Sequence, residues 1–263
     1  MAGILGGIYS GAILPFILFL ARDRLHASVE LISLMTAAPF IGSLLALLYA
    51  NVMEGKRKMP FLVWSQAIGR GCFLLMVFAA TPVSFALVVS AAHFLNSIAS
   101  PAYAAILKEI YPDAHRGRIM AYIRVGVAIA TFATTLVAGK LLSGGYLPVL
   151  RVYVPQVDYQ YIFPIAGLVG IASVFVFGNI RTAPVCPNDP NNRRVSVIPF
   201  LKSTLSIFRE DRKYTWYALS VFTFGFGSLF AVPLYPIFQV DILKMKAFEV
   251  ALLSIIVNAV WIF

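Results

Sequence analysis

The chain has 263 residues, 60% hydrophobic and 12% charged, with a formal net charge of +10. A soluble domain carries about 25% charged residues, so half that share, with a mean hydropathy of +0.85, excludes an ordinary soluble fold and points to lipid as the solvent. The basic residues stand in short clusters between long apolar runs rather than along one soluble face, which excludes a nucleic-acid surface and suits a polytopic membrane protein.

A helix needs ~20 apolar residues to cross the hydrocarbon core. The first candidate covers 3–21; it lacks a basic leader region, and "FLARDRLHA" is a poor cleavage site, so it is read as a membrane helix and not a signal peptide. Further spans are expected at 29–53, 59–81, 83–107, 119–142 and 160–180. A polar interval at 181–214 follows, opening with the linker-like "APVCPNDPNNRR". Within it, "FLKSTLSIFREDRKY" sets Phe200, Leu201, Thr204, Leu205 and Phe208 on one face, as in a helix lying on a membrane surface. A seventh span is expected at 215–239 and an eighth at 247–263.

One set of alternate loops holds thirteen Lys and Arg residues and the other six. The positive-inside rule assigns the richer set, and the N-terminus with it, to the cytoplasm. Short loops and the lack of an Asn-x-Ser/Thr sequon suggest a bacterial inner membrane. Cys72 and Cys186 make no disulfide framework, the three histidines are scattered, and no cofactor or metal is expected.

Two stretches share a stencil. "GAILPFILFLARDRL" at 11–25 and "LFAVPLYPIFQVDIL" at 229–243 match at Pro15/Pro233, Asp23/Asp241 and Leu25/Leu243, with Gly7/Gly225 earlier. Each continues to an acid, Glu30 or Glu249, opening another apolar run. The copies fall on spans one and seven, either side of the linker and in the same direction, as in parallel transporter repeats. The expected units are therefore a six-helix bundle at 1–180, a linker at 181–214 and the start of a second bundle at 215–263.

The loop "KEIYPDAHRGRIMAYIR" carries Glu109, Pro112, Arg116, Gly117 and Arg118; Pro112 breaks the helix, Gly117 permits close packing, and the charges can bridge helix ends. This Glu…Pro…Arg-Gly pattern resembles the major facilitator superfamily. That family's other signature, Gly-x-x-x-Asp-Arg-x-Gly-Arg-Lys, is matched in part by "LLYANVMEGKRK" through Gly55, Lys56, Arg57 and Lys58. Its Asp-Arg pair is missing: Val52 and Met53 occupy those places, Asn51 is the nearest polar substitute, and Glu54 is the acid at hand. The resemblance implies an all-α fold of two six-helix bundles and transport of a small solute by alternating access, with spans one and four among those lining the cavity, as span seven does. The second half is incomplete, so further C-terminal helices or a partner chain are expected to complete it. The alternative is a non-transport receptor or assembly subunit built on a degenerate half.

Ionisable and polar groups within spans are the functional candidates. Arg70 lies eleven residues past Met59, about 16 Å deep at 1.5 Å per residue. Asn96 on span four shares that depth, beside His93, Ser97 and Ser100. Arg70 is read either as a contact for an anionic or hydrogen-bonding solute or as interhelical glue. Arg124 is expected to snorkel or pair near the cytoplasmic face. The cavity that the resemblance implies adds Tyr9, Ser10, Thr223 and Ser228. All eleven acids lie in loops or at span ends, so these helices offer no buried carboxylate as a proton relay. No phosphate-cradling Gly-x-x-x-x-Gly-Lys run occurs, and His93 with Ser97 alone does not make a hydrolase. No enzyme is therefore expected.

The expectation of a longer second bundle is tested by the intact mass of the natively expressed polypeptide. A value about half as large again as 28.8 kDa is the outcome expected if the eighth span runs on into a complete second bundle, and a match to 28.8 kDa the outcome expected if a partner chain completes it.

Overall fold

The computed structural model describes residues 1–53, 56–111, 113–147, 152–180 and 206–260. Seven helical segments are long and apolar enough to cross a membrane, and they fall on the seven full spans expected. They are span one (Ala2–Asp23), span two (Val29–Met53), span three (Lys58–Phe78), span four (Pro82–Ile110), span five (within Asp113–Ser143), span six (Tyr159–Gly178) and span seven (Arg212–Ile242). A shorter apolar helix, Ala247–Val260, stands where the eighth was expected. The fold is all-α and polytopic, as lipid demands: a helix satisfies its own backbone groups where no water can. The surface-helix expectation falls mostly outside the described residues.

Helix boundaries follow local chemistry. Span four starts at a capping box, where Thr81 Oγ1 accepts from the Ser84 amide at 3.2 Å and Ser84 Oγ accepts from the Thr81 amide at 3.2 Å, with Pro82 at the first helical position. Asp211 caps span seven by accepting from the Lys213 and Tyr214 amides at 2.9 and 3.0 Å. Span three tightens after Gly71 into a 3₁₀ stretch over Cys72–Phe78, which the sequence pattern does not foretell. Nor does it foretell the small hairpin between spans five and six, where Gly145–Leu147 pairs antiparallel with Val152–Val154.

The two copies of the stencil fold alike. Span one breaks between Ile13 and Ile17 around Pro15, and span seven breaks between Ala231 and Leu234 at Pro233. Proline removes one backbone donor and clashes with the preceding turn, so both helices are interrupted at the matched position. The correspondence continues past the matched aspartates. His26 and Lys244 adopt φ of 50° and 51°. In the first copy the Ala27 amide donates to the Ala21 carbonyl at 2.9 Å; in the second the Met245 amide donates to the Gln239 carbonyl at 2.9 Å. Each closes a left-handed cap with an amide bonded to the carbonyl six residues back, one residue wider than a Schellman turn. One residue alignment thus brings proline, aspartate, cap and the entry to the next helix into register.

Span one is the hub of the bundle. It packs against span five along Gly7 and Gly11 and against span six along its other side. A Cβ at Gly7 would sit 2.7 Å from the Val127 carbonyl, and one at Gly11 would collide with the Thr131 backbone. Thr131 and Thr135 exploit that approach by donating to the Gly7 and Gly11 carbonyls at 3.2 and 3.0 Å. Two cores result. The larger joins Ile13, Phe16, Phe19, Met35, Phe73, Phe85 and Phe163 and takes in Val250 and Ala251 of the eighth helix. The smaller, around Met53, Leu62, Ala99 and Ile106, closes the opposite ends of spans two, three and four.

Gly117 behaves differently from expectation. A Cβ there would meet nothing within 4 Å among the described residues, so this glycine does not serve close helix packing. Gly11→Ala is expected to lower stability by about 1–3 kcal/mol through overpacking, whereas Gly117→Ala is expected to be neutral or slightly stabilising; thermal unfolding of the two variants in one detergent checks the contrast.

Candidate functional site

Three of the polar candidates converge. Arg70 on span three reaches toward spans one and six: its Nη1 donates to the Gly170 carbonyl at 2.8 Å and to Ser173 Oγ at 2.9 Å, and its Nη2 to Gln66 Oε1 at 3.2 Å. The guanidinium lies over the Tyr9 ring, 4.9 Å from its centroid, in cation–π geometry. Asn96 of span four approaches the Tyr9 hydroxyl from the other side, while its Nδ2 donates to the Ala92 carbonyl at 2.8 Å. Tyr9 itself is 8% exposed and stacks edge-on against Phe73.

Small residues make this convergence possible. A Cβ at Gly170 would lie 2.6 Å from the Tyr9 ring and 3.1 Å from Arg70 Cδ. One at Gly69 would lie 3.0 Å from Asn96 Nδ2. Ser173 completes the net by donating to the Ala2 carbonyl at 3.2 Å. A cation thus lies among four spans with neutral acceptors and an aromatic face around it and, among the described residues, no acid in ion-pair contact; its Nε is likewise buried there without a hydrogen-bond partner.

The other candidates are dispersed. Ser10 Oγ donates to the Gly7 carbonyl at 3.1 Å and lies 3.4 Å from Thr131 Oγ1, on the face of span one that meets span five. His93 is half-buried on span four. Ser97 packs against span two, its Cβ 2.9 Å from where a Cβ on Gly42 would stand. Thr223 and Ser228 are exposed on span seven, each hydroxyl donating at 2.9 Å to the carbonyl four residues back, Leu219 and Phe224.

At the loop between spans four and five, Arg116 Nη2 donates to the Lys108 and Tyr111 carbonyls at 3.0 Å each. It covers the orphan acceptors at the end of span four, where a cation also suits the helix dipole. Arg118 and Glu109 are exposed there, and Arg124 stands exposed one turn on, near the Tyr103 hydroxyl. At the other signature, Lys56 lies 5.5 Å from the Phe61 ring centroid, Arg57 is exposed immediately before span three, and Asn51 lies within span two. Glu54, Gly55 and Pro112 lie outside the described residues.

The family model for the Major Facilitator Superfamily matches residues 1–263. The chain belongs to this superfamily. It is an integral, multi-pass membrane protein, and members of the superfamily transport solutes across membranes. A comparison with curated proteins returns no match.

Gln66, Gly170 and Ser173 were not among the residues singled out from the sequence. Two signals were present: Gln66 stands one turn before Arg70 on the same face, and Gly167, Gly170 and Ser173 recur every three residues as a small-residue ridge on span six. Arg70→Gln is expected to destabilise the bundle by about 2–4 kcal/mol, because hydrogen bonds to a charged group are worth ~1.5–3 kcal/mol each and their acceptors stay buried. Arg70→Lys should recover only part of this, since an ammonium cannot reproduce the planar fork. Chemical unfolding of both variants, compared with Arg116→Gln, checks the ranking.

Proposed function

We propose that the protein carries a small solute by alternating access, with one half built from residues 1–180, a linker at 181–214 and a second half beginning at 215. The observation that carries this reading is the folded repeat: spans one and seven share a proline break, an aspartate and a left-handed cap at matched positions. Two like-built, parallel helices on either side of a linker suit rigid halves that rock about a site between them. The breaks at Pro15 and Pro233 give each helix a bend on which such motion can act. The orientation that follows from the basic loops places the N-terminus and the Arg116 loop in the cytoplasm of a bacterial inner membrane.

Asn96, Ser97 and His93 on span four, with Thr223 and Ser228 on span seven, are the residues proposed to meet the solute. Arg70 and Tyr9 act on the bundle: the guanidinium is held by three hydrogen bonds and a ring face, which supports a positioning role for the span-four face beside it. Arg116 and the basic residues Lys56 and Arg57 are proposed to steady the cytoplasmic ends during the exchange between states.

The test is saturable flux. Proteoliposomes loaded with a metabolite mixture should lose one solute or a small set, followed by mass spectrometry, at a rate that saturates with concentration. Asn96→Ala and Ser97→Ala should each raise the half-saturation concentration about three- to tenfold, the equivalent of one hydrogen bond. A protein that folds and inserts but moves none of the solutes would favour a receptor or assembly subunit.

A further inference from the structure

We propose that Arg22 and Asp241 form an ionic latch that holds the two halves together at one end of the transporter, so that breaking the pair releases that entrance. This rests on the alternating-access reading. Arg22 Nε donates to both carboxylate oxygens of Asp241, at 3.1 and 3.2 Å, and Nη2 donates to Oδ2 at 2.5 Å. The remaining Nη1 donates to the Ala27 carbonyl at 3.0 Å, in the left-handed turn that closes the same helix. That second anchor fixes the fork before Asp241 arrives, so little side-chain freedom is lost when the pair closes. His26, from the same turn, lies close to Asp241.

The pair is the charged part of a longer seam. The segment Leu234–Ile237 packs on Ile17–Asp23, just below the pair. Beside it the eighth helix meets span five, where a Cβ on Gly139 would lie 2.6 Å from the Ala251 Cβ. Lys140 ties this edge together: its Nζ lies 5.7 Å from the Phe248 ring centroid and donates to the Tyr146 carbonyl of the hairpin at 3.0 Å. All of these contacts involve the C-terminal ends of spans one, five and seven and the N-terminal end of the eighth helix, and so lie at a single membrane face. Away from it, Arg212–Ala231 contains no buried residue.

The repeat explains why the latch is single. Under the alignment that superposes the caps, Asp241 corresponds to Asp23 and Arg22 to Val240. A second, symmetry-related pair would need a cation at 240. Val240 instead packs against the larger core, and Asp23 takes the neighbouring Arg24 at 3.4 Å. One charged contact at the rim, with apolar packing beneath, is a contact that water can reopen: the side chains of Arg22 and Asp241 stay 27% and 38% exposed.

The experiment uses the protein in nanodiscs, with Cys72 and Cys186 replaced by serine and a reporter Val250→Cys, a position 2% exposed beneath the seam. A membrane-impermeant maleimide reads how often the seam opens. Arg22→Gln and Asp241→Asn are each expected to raise the labelling rate at least about fivefold as the open population grows. The exchange Arg22→Asp with Asp241→Arg should bring it back to within about twofold of the parent, because the pair is re-formed with its sense reversed. A control reporter, Ile106→Cys in the smaller core and fully buried, should not respond, which separates latch opening from general unfolding. Unchanged labelling in both single variants overturns the latch, and so does an exchange variant that labels like the single ones. Saturable flux with labelling indifferent to the pair removes the latch alone. Labelling that follows the pair in a protein without flux keeps the latch and removes the transport reading.

Discussion

Close backbone contact at small residues is the constraint on which this structure depends. In hydrocarbon no hydrophobic force drives one apolar helix against another, because lipid tails are as apolar as leucine. Association must come from packing and from interhelical hydrogen bonds, and both need helices that approach closely. Span one supplies this with Gly7 and Gly11, and span five answers with threonines that bond to the exposed carbonyls. Span six does the same with Gly167 and Gly170 against spans one and three, and Gly139 does so against the eighth helix. Span one can touch span five and span six at once because Gly7 and Gly11 clear one of its faces and Gly170 of span six makes room for Tyr9 on the other.

That close approach also decides what a buried charge can do. Arg70 would be costly in lipid, yet it finds a carbonyl, a hydroxyl, an amide and an aromatic face, drawn from spans one and six and from its own helix. A carbonyl inside a helix is normally taken; Gly170 presents its own to Arg70 because no side chain stands in front of it. The cation therefore links the packing of three helices to the polar face of the fourth. Asn96 of that fourth helix lies against the same tyrosine.

Span seven and the eighth helix meet the other six spans through a further kind of contact. The apolar cores lie mainly within spans one to six, and the larger reaches Val250 and Ala251 of the eighth helix. The described contacts of span seven and the eighth helix with the others gather at one rim, where a charged pair sits over a seam of small and apolar residues. Packed cores resist gradual deformation, whereas a rim contact with partly hydrated charges can be exchanged for water at modest cost.

Much of this was legible in the sequence. Span number, span limits and the break at each matched proline follow from local rules: a fixed bilayer thickness sets helix length, and proline removes a donor wherever it stands. The repeat was visible at Pro15/Pro233 and Asp23/Asp241 because those residues act on their own backbone. The caps at His26 and Lys244 escaped notice, since neither residue type announces a left-handed conformation. Gly117 was misread because a glycine in sequence does not say what stands opposite; among the described residues nothing stands opposite Gly117, whereas the Thr131 backbone stands opposite Gly11. Arg70 and Asn96 were matched in depth from residue counting alone, but the partners that hold Arg70, Gly170 and Ser173, lie a hundred residues away on another span. Periodicity and length are properties of one helix and so were written in the chain. Which face of one helix meets which face of another depends on rotation about their axes, and only the tertiary structure decided that.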